Sequence, residues 1–213
     1  MDLTTVDHLL STTRSVRKRL DLTRPVPKNI VDECIQIAIQ APSASNTQRW
    51  HFVVISDKEK CQAVAAYYQR SFTIYATPPA GQSEPDRTDP RVVQAIRVRE
   101  SAQYLSDHMH EVPVLIIPCI DGRVENAGAM AQAATYGSIL PATWSLMLAL
   151  RARGLGSAWT TLHLRYEHEV ASILGIPETV TQAALLPVAY YLGDDFKPAQ
   201  RLPLGDRLHR EAW

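Results

Sequence analysis

Apolar positions repeat with a helical period in two early stretches. Leu3, Val6, Leu9 and Leu10 share one face of a predicted helix over residues 3–12. Val31, Cys34, Ile35 and Ala38 recur at i, i+3, i+4 and i+7, the spacing of a core-facing stripe. Pro27 suits the first turn of that second helix, where a missing N–H costs nothing, and Asp32 and Glu33 suit the positive end of its dipole. Residues 50–55 and 112–120 ("VPVLIIPCI") are apolar runs of strand length, and residues 183–193 ("AALLPVAYYLG") form a last core strand. A short strand is expected within "GLGSAWTTLHL", after its glycine stop. Helical periodicity returns over 57–70, over 91–110 in a more polar form, and over 165–174, closed by Gly175 and Pro177. "TPPAGQSEPDRTDP", residues 77–90, has no apolar period and reads as a loop of the length that often borders a site.

Residues 128–150 carry no charge and are long enough to span a bilayer. Gln132, Thr135, Tyr136, Ser138, Pro141 and Ser145 interrupt that run, so a helix over 126–152, buried in the protein or at a subunit interface and bent near Pro141, is the expectation. Four strands and five or six helices that do not simply alternate predict an α+β arrangement.

Composition narrows the function. The 213 residues suit one domain, residues 1–213, and 22 basic against 22 acidic side chains argue against a general nucleic-acid binder. Three widely spaced cysteines, Cys34, Cys61 and Cys119, show neither metal spacing nor a disulfide framework. With no signal-peptide pattern in "MDLTTVDHLLSTTRS", a cytoplasmic protein is expected. His108 and His110 face apart on a helix, and His163 and His168 lack a companion ligand set, so no metal is expected. Neither G-x-G-x-x-G nor G-x-S-x-G occurs, which excludes the usual dinucleotide fold and hydrolase elbow.

Four short segments carry candidate chemistry. Arg14, Ser15, Arg17, Lys18 and Arg19 crowd one irregular turn; with 15 and 17 on one side, a hydroxyl and a guanidinium converge as a phosphate would need. Taken alone, the turn reads first as a solvated basic loop near a helix end, since charge runs are usually exposed. "PSASN", residues 42–46, offers small hydroxyl and amide groups that allow close backbone approach, or a polar helix C-terminal turn. "WTT", residues 159–161, ends a buried element, and Arg201 stands in a tail poor in core residues.

In order and spacing these pieces resemble the FMN-dependent nitroreductase family: "RSVR", a helix, "APSASNTQRWHFVVIS", a long small-residue helix, "GLGSAWTTL" and a late "QRLP", over about residues 11–205. The resemblance implies a nitroreductase-like α+β fold: a central, mostly antiparallel sheet flanked by helices, a long buried dimer-interface helix, a lid or insertion near 77–104 and a C-terminal extension over 194–213. It implies a homodimer with FMN at the subunit interface. Arg14, Ser15 and Arg17 would meet the phosphate and polar side of the flavin. Pro42, Ser43, Ala44, Ser45 and Asn46 would touch the cofactor and line the substrate pocket. Trp159, Thr160 and Thr161 would lie along the ring, and Arg201 would meet the phosphate. Two positions depart from the family: Thr13 stands where an arginine is frequent, and Arg49 where a proline is.

The implied activity is reduction of nitroaromatic, quinone or enone-type acceptors by hydride from NADH or NADPH in a ping-pong cycle. No catalytic side chain is required, because the cofactor carries the chemistry. The alternatives on this scaffold are flavin storage or sensing without turnover, dehalogenation, and flavin fragmentation. The expected partners are a small-molecule substrate and a second copy of the chain, without nucleic acid or membrane.

Overall fold

The computed structural model describes residues 2–77 and 88–213. Its centre is a five-stranded antiparallel sheet. In chain order the strands are β1 (Trp50–Ile55), β2 (Val114–Asp121), β3 (Leu155–Ser157), β4 (Val180–Gln182) and β5 (Leu186–Tyr190). The helices are α1 (Leu3–Thr12), α2 (Lys28–Ala38), α3 (Lys58–Ala76), α4 (Pro90–His108), α5 (Ala129–Arg151) and α6 (Glu167–Leu174). β2 is central: β1 pairs along one edge, β4 and β5 share the other, and β3 lies beyond β5.

Side chains alternate across β2, so each face receives its own helical layer. Val114 and Ile116 join Val31, Cys34 and Ala38 of α2 and Leu146, Met147 and Leu150 of α5. Leu115, Ile117 and Cys119 face Cys61, Val64, Ala65 and Tyr68 of α3, Leu105 of α4 and Val170 of α6. The α+β arrangement of a mostly antiparallel sheet between helices is as expected.

The strand expected over 183–193 is β5, residues 186–190; a further short strand, β4, precedes it at 180–182, and residues 183–185 separate the two. Pro118, in the middle of β2, explains the break. Its carbonyl accepts from Ala183 N (2.9 Å), so its missing N–H points toward the same edge. The ladder loses a bond there, and the partner chain divides.

α5 is helical from end to end, through Pro141. The proline ring presses toward the carbonyl of residue i−4, which is Gly137, and Gly137 is exposed, so water can serve that carbonyl. Expected as a buried helix, α5 is buried on one face only within the chain: Met130 is 87% exposed and Trp144 39%. Among the described residues it is the helix long and apolar enough to cross a membrane by length and composition, with half of its apolar window buried inside the chain. Residues 78–87 of the 77–104 segment lie outside the described residues. The rest of it falls largely in α4, whose N-terminal cap is the Asp89 carboxylate accepting from Arg91 N.

Candidate functional site

The basic turn reaches its place because residue 16 is apolar. Val16 is buried, and its N–H donates to the Ser157 carbonyl at the edge of β3 (2.9 Å). Gly156 makes the approach possible: a Cβ there would lie 2.9 Å from Val16 Cβ and Cγ1. Gly156→Ala is therefore expected to destabilise the protein by about 1–3 kcal/mol, the usual cost of overpacking a tight contact. A lowered urea midpoint at unchanged m-value would show it.

With Val16 turned inward, Ser15 is exposed and Arg17 half-buried. Arg14 is exposed as well, and its Nη1 donates to the Lys197 carbonyl (3.3 Å), so the C-terminal tail runs beside the basic turn. The Arg17 guanidinium forms no ion pair and no hydrogen bond among the described residues. Burial lowers its pKa, opposed by the neighbouring Tyr68, yet a guanidinium stays charged at any ordinary pH. A half-buried cation without a carboxylate has lost hydration and gained no counter-charge. An anion supplied from outside would complete it.

Tyr68 links this turn to the segment after β3. Its hydroxyl lies near Thr160 and Arg17, and burial pushes its pKa up to about 12. Thr160 Oγ1 in turn donates to the Leu185 carbonyl (2.7 Å). Trp159 packs against the α2–α5 core, and Thr161 is exposed.

The loop at 42–46 is built elsewhere. Ala44 N donates to Ser138 Oγ of α5 (2.9 Å), and that hydroxyl donates to the Ala134 carbonyl (2.7 Å). Ser43 Oγ accepts from Gln48 N (3.1 Å), and Gln48 Nε2 donates to Asn46 Oδ1 (3.0 Å). Ser45, Asn46 and Gln48 all hold positive φ, at 51°, 53° and 51°. Non-glycine residues adopt that conformation at a cost, and such residues cluster at binding sites. Pro42, Ser45 and Asn46 are exposed. No hydrogen bond among the described residues joins this loop to the Arg17–Thr160 cluster.

The structure thus gathers Arg14, Ser15, Arg17, Thr160 and the start of the tail, and seats loop 42–46 on α5. Arg201 is exposed without a hydrogen bond or ion pair among the described residues, and Arg49 is likewise exposed. Arg19 is turned away, stacked over Phe196. Tyr68 and Ser138 are the site residues that the sequence did not single out. Tyr68 sits in the stripe Cys61, Val64, Ala65, Tyr68, Phe72, which reads as plain core, and Ser138 is one small polar residue in an uncharged helix. No group of three or more His, Cys, Asp or Glu side chains suited to a metal ion occurs among the described residues. The three thiols are buried, and burial raises the pKa of each, which makes them poor nucleophiles.

The model of the Nitroreductase family matches residues 10–190. An Archaeoglobus fulgidus protein named as an NADH dehydrogenase/NAD(P)H nitroreductase is 28% identical over 208 residues, covering 96% of this chain and 97% of that one. Among solved structures, a variant of an FMN and NADPH-dependent nitroreductase from sphigopyxis sp. strain HMH superposes with a TM-score of 0.70 at 20% identity, covering 97% of this chain and 99% of that one. An oxidized iodotyrosine deiodinase bound to FMN and 3-iodo-L-tyrosine gives 0.69 at 21% identity, covering 96% and 97%. These two structures share the fold.

Proposed function

The chain belongs to the nitroreductase family, and on that premise we propose that it is an FMN-dependent oxidoreductase that takes a hydride from NADH or NADPH and passes electrons to a small nitroaromatic, quinone or enone-type acceptor. The observation that carries this reading is Arg17, a half-buried guanidinium with no protein counter-ion among the described residues, beside the hydroxyl of Ser15. It suits the phosphate or the electron-rich edge of a flavin. Bound FMN would supply the hydride and electron transfer that no side-chain dyad here provides.

The chain's own residues bind and orient. Arg14, Arg17 and Arg201 supply positive charge for the phosphate and the polar ring edge, and Ser15 supplies a hydroxyl. Trp159, Thr160 and Thr161 present main chain along the ring, with Thr160 held by Leu185. Pro42, Ser43, Ala44, Ser45 and Asn46 form a small polar wall that admits a flat molecule. That wall stands on α5, and in this reading the loop of one subunit completes the site of its partner in a homodimer. The open face of α5, with Met130, Gly137 and Trp144, supports this assembly, since an apolar helix face of that length is stable in water only when covered. The protein acts as a single domain, cytoplasmic and without nucleic-acid or membrane partners.

The test is direct. Purified protein is expected to be yellow, or to become so with added FMN, and to bleach anaerobically with NADH or NADPH. Flavin that binds but stays oxidised with both donors would favour storage or sensing; no flavin uptake at all would defeat the reading. Likeness to iodotyrosine deiodinase supports reductive dehalogenation as a second reading, measured as halide released from a halogenated phenol under the same conditions. Trp144→Glu places a charge on the open face of α5. It is expected to halve the mass in light scattering and to lose flavin, whereas a yellow monomer would rule out a shared site.

A further inference from the structure

The tail that carries Arg201 leaves the fold through a compact clasp. Arg19 and Arg151 both lie over the Phe196 ring, at 4.1 and 4.9 Å from its centroid. Phe196 in turn packs on Tyr191 with centroids 5.0 Å apart. Arg151 Nη1 donates to the Tyr191 hydroxyl (2.7 Å), and its Nη2 pairs with Asp195. Asp195 also pairs with His8 of α1, and its Oδ1 accepts from Phe196 N (2.8 Å). Arg19 Nε donates to the Leu192 carbonyl (2.6 Å), while Leu192 N donates back to the Arg19 carbonyl (2.8 Å).

All of this holds a stretch with almost no apolar core of its own. Phe196 is half-buried, and most residues after it are exposed. Immediately past the ring, the Lys197 carbonyl accepts from Arg14. Arg201 follows Phe196 by five residues, at most about 17 Å of extended chain. The clasp, with the Arg14 contact at Lys197, therefore fixes the start of the tail beside the basic turn, a few residues before Arg201.

We propose that Phe196, held by Arg19 and Arg151, is a positioning residue for phosphate binding: it pre-orders the start of the tail so that Arg201 reaches the phosphate beside Arg14 and Arg17, and it acts only through Arg201. This rests on the flavin reading above. A free tail would have to be ordered at the moment of binding, and that entropy is subtracted from affinity. A clasped tail has lost it already.

The experiment is a double-mutant cycle on the full chain, titrated with FMN and with riboflavin, which has the same ring and no phosphate. Arg201→Ala is expected to weaken FMN binding roughly 10- to 150-fold, the loss of one charge-assisted contact. Phe196→Ala is expected to weaken it to within about threefold of that, and the double variant to add nothing further, as residues acting in one chain of cause do not add. Riboflavin affinity is expected to stay at the parent value in all three. Phe196→Tyr, which keeps the ring, is expected to retain FMN affinity. Full FMN affinity in Phe196→Ala alongside a weakened Arg201→Ala overturns the proposal. So does equal loss of both flavins, which would mark Phe196 as merely structural, and so does an additive double variant. An Arg201→Ala variant with parental FMN affinity removes the clasp's function as well. A parent protein that takes up neither flavin is a different failure, that of the flavin reading itself.

Discussion

Arg17→Met is expected to bind FMN roughly 10- to 150-fold more weakly than the parent, while its apoprotein resists urea at least as well. The two effects have opposite signs because Arg17 is desolvated without a partner. Burial lowers its pKa, and no carboxylate among the described residues faces it. In the apoprotein that charge is a net cost, and an apolar chain of similar length relieves it. In the complex the same charge meets an anion, and a charge-assisted bond of this kind contributes about 1.5–3 kcal/mol. Fluorescence titration gives the first quantity and the urea midpoint the second. A variant that loses stability and flavin together would show that Arg17 is part of the scaffold and not of the binding site.

His163→Leu is expected to flatten the acid side of the stability profile. His163 is fully buried, and neither ring nitrogen has a hydrogen-bond partner. Burial lowers its pKa from 6.5 to about 3, so the folded protein keeps the imidazole neutral where the unfolded chain would protonate it. The unfolded state then binds more protons, and stability rises with pH. The contribution is complete above pH 6.5 and is lost progressively as the pH falls from there toward 3. The slope is about 1.4 kcal/mol per pH unit. At neutral pH the variant is expected to match or exceed the parent, since a buried unpartnered polar group costs about 1–3 kcal/mol. Urea midpoints measured from pH 8 to pH 4 on both proteins isolate the side chain from the carboxylates they share. Parallel curves would mean that His163 is protonated, or finds a partner, within the fold.

Much of the fold was legible because its signals are local. The stripe Val31, Cys34, Ile35 and Ala38 names the core face of α2: Val31, Cys34 and Ala38 are buried there, and Ile35 packs half-buried against the same core. Gly175, read as a helix stop, closes α6 in the left-handed conformation (φ 68°). β1 matches the apolar run at 50–55 residue for residue. The division of β4 from β5 was not foreseen, although its cause, Pro118, stands in the sequence. A proline shows which backbone donor is missing, but not which neighbouring strand was to receive it.

The sequence by itself determined the α+β class, the family resemblance and the candidate segments, since each follows from periodicity, turn chemistry or a short run of residue types. It did not decide which candidates meet. The tertiary structure joined Arg17 to Thr160 through Tyr68, seated loop 42–46 on Ser138, and turned Arg19 onto Phe196. Those partners lie tens to well over a hundred residues away, brought close by sheet pairing and helix packing. Whether an arginine is a structural clamp or a free charge waiting for an anion is a property of what surrounds it in space, and neighbouring residues in the chain do not carry that information.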